Sequence, residues 1–494
     1  MQGWVKEELK TADFGDVRLD TRFQMVMDDL SQKPSVSIPA ACGGWNETFA
    51  TYRFFENRRV TYERVLQPHR QATLQRMAMH PVVLMIQDTT EADVTRPQER
   101  MKGAGPLSDE SQWGFYVHPL LAVTPERIPL GVVQAEIWSR DLEEFRQHQR
   151  EKEQDCGAKR KRNRNRPIEA KESLRWLEGY RAGCQVAGEI PQTTIVVISD
   201  SEGDVYECFE EAAKQDGAKK AEWIVRACQD RNLSGTAPGD FRHLRAKVAS
   251  TRVLGTAEVE VREQTPKNAS DRKRSQPRSA RTATMTIQAA RVTLRGPQRP
   301  GGRPPDVEIN AVLVREKDPP PGEEAIEWLL LTSLPIRTFR QVQQVIAYYC
   351  CRWQIEVYFK VLKSGCKIED RQFQDAEHYL PCVALYMVIA WRVMYVMMLG
   401  RQCPEMSCTE VFGEAEWKAV YAVVQGQAAP EQPPTLAAMV LMIASLGGHL
   451  GRKQDGPPGP KTTWIGMQRM RDLALAWDAF QLTARRARSR KKRV

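Results

Sequence analysis

Apolar residues follow two different spacings along the chain, and these spacings divide it into three parts. Through about residue 70 they recur at helical intervals, notably in residues 6–9, 16–30 and 45–56. Continuous apolar runs and alternating segments then predict strands, and helical spacing returns after about residue 375. This order predicts an α/β core between two helical domains.

The central part contains two kinds of candidate strand. Continuous apolar runs, typical of strands that are buried on both faces, occupy residues 82–87, 115–124, 129–138, 195–199 and 223–226. Alternating apolar and polar positions predict further strands at residues 253–261, 282–294 and 307–314. We therefore expect a buried sheet followed by a β-rich segment.

Two of the continuous runs end in an acidic residue. Asp88 follows the run at residues 81–87, and Asp200 follows the run at residues 193–199. Taken alone, each acid is more often a turn or helix-capping residue. The carboxyl edge of a sheet is, however, where open α/β folds bind their ligands. The two acids together therefore indicate a site at that edge.

A third acidic residue lies on a predicted helix between cationic residues. Tyr349, Arg352, Glu356 and Lys363 are separated by three, four and seven residues. At about 100° per residue on a regular helix, all four fall within an arc of roughly 60°. The plain alternative is a solvated charged face with an Arg352–Glu356 pair. Many bulky apolar neighbours argue against it, because they indicate that much of this helix is buried.

The chemistry of these residues suggests a metal site that acts on nucleic acid. Carboxylates are ligands for hard divalent cations, and Arg and Lys bind phosphates. Three carboxylates around one point repel each other unless a cation neutralises them. We therefore expect Asp88, Asp200 and Glu356 to meet at a metal centre, with Lys360 on the same helix face as the cations.

The combination of motifs resembles the bacterial DDE cut-and-paste transposases of the insertion-sequence-four (Tn-five-type) family. That family's Tyr-x2-Arg-x3-Glu-x6-Lys signature matches residues 349–363 in full. Its first Asp, followed by two threonines, matches Asp88, and its Asp-x-Glu-x-Asp turn matches residues 200–204. The family has alanine at the position of Gly203, which is a mild departure. Weaker similarities extend over nearly the whole chain.

The resemblance implies a fold and a domain order. It implies an RNase H-like catalytic core at residues 71–375, with a β-subdomain inserted at about 230–335. It further implies a helical N-terminal domain at residues 1–70 that binds transposon-end DNA. A helical C-terminal domain at residues 376–494 would mediate dimerisation and carry a basic tail, and the helix at residues 464–482 would face the partner.

The resemblance also implies an activity and a set of contacts. Two Mg²⁺ ions, with Mn²⁺ as a substitute, would be held by the three acids. The enzyme would cut at the transposon ends, in the family manner through a hairpin, and join the 3′ ends to target DNA as a homodimer. The residues expected to contact DNA are Arg18, Arg22, Arg53, Arg226, Trp328, Tyr349, Arg352, Lys360 and Lys363. Trp328 alone would more often be a core residue.

The charge balance is consistent with a polyanionic partner, and the cysteine spacing is consistent with a reducing compartment. Lys and Arg number 72 against 62 Asp and Glu, a formal net charge of +10. The 11 cysteines lack zinc-binding spacing, which favours reduced thiols. We expect no secretory signal, no membrane span and a cytoplasmic, nucleoid-associated protein. The basic run at residues 159–166 is expected to be a mobile loop that touches DNA only nonspecifically.

Two other functions compete with a transposase. A DNA-binding regulator could keep the fold and lose the chemistry, but it predicts a damaged set of acids, and all three are present. An RNase H-type nuclease would not need the N-terminal domain or the pairing helix.

Overall fold

The structure is a computed structural model that describes residues 3–96, 99–154, 166–214, 217–235, 240–261, 263, 277–299 and 301–491. The basic run expected to touch DNA at residues 159–166 lies outside the described residues, apart from Arg166. The side chains of the basic tail from residue 484 also lie outside them.

The strands agree closely with the apolar pattern. They are β1 Val82–Gln87, β2 Thr90–Asp93, β3 Gly105–Pro106, β4 Trp113–Val123, β5 Pro129–Trp138, β6 Thr194–Ser199, β7 Glu222–Arg226, β8 Gly255–Val261, β9 Arg281–Leu294, β10 Val307–Glu316 and β11 Glu327–Thr332. All eight predicted strands are present, with ends within about two residues of the prediction.

The α-helices lie before, between and after these strands in the sequence. They are α1 Gly3–Glu8, α2 Val17–Gln32, α3 Ile38–Ala41, α4 Trp45–Phe55, α5 Tyr62–Met77, α6 Leu142–Gln154, α7 Leu174–Glu189, α8 Tyr206–Ala213, α9 Leu244–Ala249, α10 Phe339–Cys350, α11 Gln354–Lys360, α12 Ala376–Gln402, α13 Glu414–Gln425, α14 Leu436–Leu446 and α15 Pro460–Lys491. The helix α5 runs through the domain boundary predicted at residue 70.

The chain forms two compact units. The first consists of Met1–His80, Asp88–Arg150 and Trp353–Val494, and the second of Pro81–Gln87 and Glu151–Arg352. The predicted boundaries at residues 70 and 375 both fall in the first unit, so the three-domain division stays a prediction.

The second unit is built on a seven-strand sheet in the order β1-β6-β7-β11-β10-β9-β8. β1, β6 and β7 are parallel, and the strands from β11 to β8 are antiparallel to their neighbours. Because β11 pairs with β7, the β-rich insertion continues the same sheet. The parallel strands are apolar over nearly their whole length because both of their faces are covered.

Helix α7 packs closely on the parallel strands of this unit. A Cβ atom at Gly179 would lie 2.0 Å from the side-chain oxygen of Gln87, and one at Gly183 would lie 2.4 Å from Val197. Glycine at both positions therefore allows the helix backbone to approach β1 and β6. This packing fixes the two strands whose ends carry Asp88 and Asp200.

The first unit combines an antiparallel group of strands with helices from both ends of the chain. β2, β3 and β5 each pair with β4. Helix α12 is long and apolar enough to cross a membrane, with a mean hydropathy of 1.9 in its most apolar window, but 94% of that window is buried inside the protein. The prediction that this segment is a core helix is confirmed.

A buried ionic network connects α1, α5, β5 and α12 in the first unit. His69 Nδ1 lies 2.5 Å from Glu8 Oε1, and His69 Nε2 accepts the backbone N–H of Val132 at 2.9 Å. Arg76 donates two hydrogen bonds to the Glu8 carboxylate and stacks on Trp391, 4.3 Å from the ring centre. Burial raises the pKa of Glu8, but His69 and Arg76 outweigh that effect and hold it at about 2.

This network makes the substitution Glu8→Gln strongly destabilising. The variant removes the carboxylate from the partly buried Arg76 and the fully buried His69. We expect the free energy of unfolding at pH 7, measured by urea denaturation, to fall by about 3 kcal/mol. Because the folded-state pKa lies below the usual 4.5, the ion pair stabilises fully above about pH 4.5. The difference between wild type and variant should shrink as the pH falls toward 2.

The matched control is Glu7→Gln, because the Glu7 side chain is 80% exposed and only 3.6 Å from Lys10. It should change stability by less than about 0.5 kcal/mol. Equal losses for the two variants would show that the buried network does not stabilise the first unit.

Candidate active site and nucleic-acid interface

The parallel register of β1 and β6 brings two strand ends to one edge of the second unit's sheet. The register pairs Leu84 with Val196 and Ile86 with Ile198. Asp88 and Asp200 each stand two positions after the last of these paired residues. Both acids are therefore strand-end residues, as the sequence predicts.

Local hydrogen bonds orient both strand-end carboxylates. Oδ1 of Asp88 accepts the backbone N–H of Thr89 at 2.8 Å, and the Thr89 hydroxyl lies 2.9 Å from Nδ1 of the buried His118. Oδ1 of Asp200 accepts the N–H of Glu202 at 2.8 Å and caps the short helix Ser201–Gly203. Both acids are half-buried. Capping and ligand binding are compatible, because each of these bonds uses one carboxylate oxygen.

Asp204, the second acid of the same turn, has a structural role. It accepts hydrogen bonds from the Arg231 guanidinium, the closest at 2.5 Å, and from the backbone N–H groups of Cys228 and Gln229. Its side chain is fully buried, and that of Arg231 nearly so. These contacts engage both oxygens of Asp204, which supports the choice of Asp200 as the ligand.

The segment that carries the four-residue signature is helical but irregular. Helix α10 ends at Cys350, a 3₁₀ turn follows at Cys351–Trp353, α11 covers Gln354–Lys360, and a π-helical turn covers Val361–Gly365. The prediction that residues 349–363 form one regular α-helix is therefore wrong. Each residue of the 3₁₀ turn rotates the chain by more than 100°, and each residue of the π turn rotates it by less. The arc calculated for the four signature residues at a constant 100° per residue therefore does not apply.

In the first unit, the signature contributes Glu356 and Lys363, and Lys360 lies between them in the sequence. Glu356 is half-buried in the first turn of α11, and Lys360 is exposed. Lys363 pairs with Glu369 at 3.0 Å, and Glu369 also accepts the backbone N–H of Asp93 at 3.0 Å. Lys363 is thus held by Glu369, a residue that the sequence patterns did not indicate as part of the site.

In the second unit, four of the predicted DNA-contact residues lie together. We call Arg226, Trp328, Tyr349 and Arg352 the aromatic–arginine cluster. The ring centres of Trp328 and Tyr349 are 6.3 Å apart, and Trp328 is half-buried. Arg226 is exposed at the end of β7 and donates to the Glu327 carbonyl at 3.3 Å.

Tyr349 interacts electrostatically with Arg352, Arg226 and Asp200. Burial raises the pKa of Tyr349, while Arg352 and Arg226 oppose the rise and Asp200 adds to it. The phenol therefore stays protonated near neutral pH and can donate a hydrogen bond. One phenol and two guanidinium groups therefore lie near Asp200, and their binding of phosphate stays a prediction.

The three arginines of the N-terminal region differ in their surroundings. Arg18 on α2 is 91% exposed and is paired with Asp16, the residue that caps the same helix, at 3.1 Å. Arg22 is half-buried on the same helix. Arg53 on α4 is exposed and lies over the Phe49 ring, 5.7 Å from its centre. All three belong to the first unit.

A three-carboxylate metal site is not visible as a preformed group. Among the described residues, no set of three or more His, Cys, Asp and Glu side chains is close enough to hold a metal ion. Asp88 and Glu356 belong to the first unit and Asp200 to the second. Their convergence on one metal centre stays a prediction.

Several residues that shape the site were not predicted from the sequence. His118 interrupts an apolar strand, and this polar residue in a buried run was the signal that could have revealed it. Glu369 and Arg231 gave no such signal, because their partners are fixed by the fold and not by a repeated spacing.

Comparison with known proteins gives three matches in succession. The family model described as "Transposase DNA-binding" matches residues 1–60, "Transposase DDE domain" matches residues 140–378, and "Transposase Tn5 dimerisation domain" matches residues 388–492. The first match contains Arg18, Arg22 and Arg53. The second contains Asp200 and the whole signature around Glu356, whereas Asp88 precedes it.

A solved structure is also similar, titled "Cryo-EM structure of piggyBac transposase synaptic complex with hairpin DNA (SNHP)". The sequences are 12% identical, the match covers 82% of this chain and 69% of that chain, and the TM-score is 0.31. A similarity at that score supports no inference about this chain. The DDE-domain match, together with the mixed sheet and its flanking helices, confirms the predicted RNase H-like core.

The different roles of Asp204 and Asp200 can be separated by stability. Asp204→Asn leaves the buried Arg231 without its charged partner, and we expect a loss of about 3 kcal/mol in urea denaturation. Asp200→Asn keeps the cap geometry and should cost less than about 0.5 kcal/mol. If the two variants lost equal stability, the structural role assigned to Asp204 would be wrong.

Proposed function

The chain belongs to the Tn5-type DDE transposases and is a DNA transposase, and we propose that it excises its element by metal-dependent cutting at both ends. In this proposal the N-terminal helices bind the terminal sequences and two copies pair the ends. The freed 3′ ends are then joined to target DNA. The observation that carries the proposal is the DDE-domain match, which contains Asp200 and Glu356 as half-buried carboxylates.

The acidic residues have the chemistry that a hard cation requires. Asp88, Asp200 and Glu356 offer only oxygen donors, and backbone N–H groups orient the first two. These three residues would hold two Mg²⁺ ions, and Mn²⁺ would substitute. The ions would lower the pKa of the attacking hydroxyl or water and stabilise the departing oxygen of a phosphodiester.

The aromatic–arginine cluster is proposed to hold the DNA strand beside the cut. Arg226 and Arg352 supply positive charge for phosphate oxygens, and the protonated Tyr349 hydroxyl donates to another. Trp328 presents a half-buried ring next to Tyr349, and such a ring can stack on an unpaired base. Lys360 and Lys363 would add contacts from the first unit, with Glu369 keeping Lys363 in place.

The reaction proceeds by phosphodiester exchange without a protein nucleophile. Water attacks phosphorus at the element's end, and the 3′ oxygen leaves to give a 3′-hydroxyl and a 5′-phosphate. That hydroxyl then attacks the opposite strand, and the bond exchange closes a hairpin, which a second water opens. The restored 3′-hydroxyl finally attacks a target strand, whose own 3′ oxygen leaves. In each step the nucleophile loses one proton, and the departing 3′ oxygen takes up one proton to become a hydroxyl.

The competing functions explain the observations less well. A catalytically silent regulator would not need the three acids, which are intact. A nuclease of the RNase H type would not need regions that match transposase DNA-binding and dimerisation models. The proposed place of action is the bacterial nucleoid in the cytoplasm.

The first test of the proposal is Asp88→Ala, because Asp88 lies outside the DDE-domain match. With Mg²⁺ and a duplex that carries the element's terminal sequence and its junction with the adjoining DNA, strand cleavage should be abolished. The Kd for the same duplex should stay within about threefold of wild type. The matched control is Glu178→Gln, an exposed acid on α7 paired with Arg181, which should cleave normally. Undiminished cleavage by Asp88→Ala would refute its metal role.

The pairing role is tested on the second half of α15. Trp464, Met470 and Ala474 are buried within the chain's own first unit, whereas Phe480 and Leu482 are 74% and 57% exposed. Phe480→Asp with Leu482→Asp should therefore abolish paired-end complexes in native gels and leave single-end binding intact. The control Met79→Asp changes an exposed residue outside α15. Paired complexes at wild-type levels in the double variant would place the dimer contact elsewhere.

A further inference from the structure

A stripe of large apolar side chains lies exposed along α4. Trp45, Phe49 and Arg53 are spaced by four residues, so they share one face of the helix. Trp45 is 80% exposed and Phe49 is 54% exposed. Their rings are stacked at 16° with centres 6.4 Å apart, and the Arg53 guanidinium continues the stack over Phe49. We call these three residues the α4 stripe.

The stripe is not needed for the packing of the N-terminal helices. The opposite face of α4 already fills their core, where Phe54 lies 5.7 Å from Phe14 and 5.8 Å from Phe23 between ring centres. Thr51 and Phe55 are also buried on that side. An exposed Trp–Phe pair gains nothing from folding, and burial of its apolar surface against a partner would be favourable.

The charges around the stripe favour DNA as that partner. Arg53 ends the stripe, and Arg58 and Arg59 are exposed just beyond the helix. Glu47, the only acid of α4, is turned toward the helix start, since its carboxylate would lie 2.5 Å from a Cβ at Gly44. The stripe also lies within the region that matches the transposase DNA-binding model, far in sequence from the dimerisation match.

We propose that α4 enters the major groove of the element's terminal DNA and that Trp45 and Phe49 contact thymine methyl groups there. The proposal rests on the proposed end-binding function and deepens it. A major groove admits an α-helix, and the N-terminal residues of such a helix reach base edges. Trp45 is the first residue of α4, so the aromatic rings face bases and Arg53 meets the phosphate backbone.

The experiment measures binding of the full-length protein to labelled duplexes by fluorescence anisotropy. One duplex, called the bordering duplex, carries the terminal sequence of the element together with the DNA that adjoins it, and the other carries the same bases in scrambled order. A third set replaces each thymine of the terminal sequence in turn with uracil, which removes only the methyl group. The variants are Trp45→Ala with Phe49→Ala, Arg53→Ala and the control Met79→Ala, an exposed apolar residue outside the stripe.

The stripe has a specific expected signature. The double variant should bind the bordering duplex about tenfold or more weakly and the scrambled duplex nearly as wild type does. Uracil at one or two positions should weaken wild-type binding and have no further effect on the double variant. Arg53→Ala should weaken binding to both duplexes and lower the slope of log K against log salt concentration by about one.

Three outcomes would overturn the inference, and a fourth separates it from the proposed function. Unchanged affinity of the double variant for the bordering duplex would exclude base contacts. Unchanged affinity with loss of paired complexes would show instead that the stripe contacts protein. Equal losses of affinity for both duplexes, with normal thermal unfolding, would show that the stripe contributes to nonspecific DNA binding and does not recognise bases. If wild type itself fails to prefer the bordering duplex, the end-binding function fails before the stripe is tested.

Discussion

The parallel pairing of β1 with β6 is the constraint on which the candidate site depends. With Ile86 opposite Ile198, both strands end at the same edge of the sheet, and an aspartate directly follows the last residue of each strand. A shift of register by one residue would turn the side chains of one strand to the other face and break the packing of α7. The close approach of α7 at Gly179 and Gly183 holds this register in place.

The acids of the buried ion pairs and the three candidate metal ligands differ in burial. Asp204 and Arg231 neutralise each other inside the second unit, and Arg76 neutralises Glu8 inside the first, where His69 also contacts the Glu8 carboxylate. In each buried pair, the attraction between opposite charges offsets the cost of removing them from water. Asp88, Asp200 and Glu356 instead stay half-buried, where a cation can supply the compensating charge.

Much of the fold could be predicted from the sequence because apolar runs report burial directly. The ends of β1 and β5 agree with the prediction to the residue, and the burial of α12 follows from its composition. The 3₁₀ turn before Glu356 and the π turn after it could not be predicted, because local winding depends on packing. The same holds for Glu369 beside Lys363, since no spacing rule links residues that only the tertiary fold brings together.

The central claim is that Asp88, Asp200 and Glu356 share one pair of divalent ions when the ends are bound. The most direct measurement replaces Mg²⁺ with Fe²⁺ in the complex with terminal DNA and generates hydroxyl radicals with ascorbate and peroxide. Fragments mapped by mass spectrometry should show cleavage of the protein backbone near all three acids, and excess Mg²⁺ should suppress it. Cleavage near one acid only, or at unrelated positions, would contradict the shared metal site.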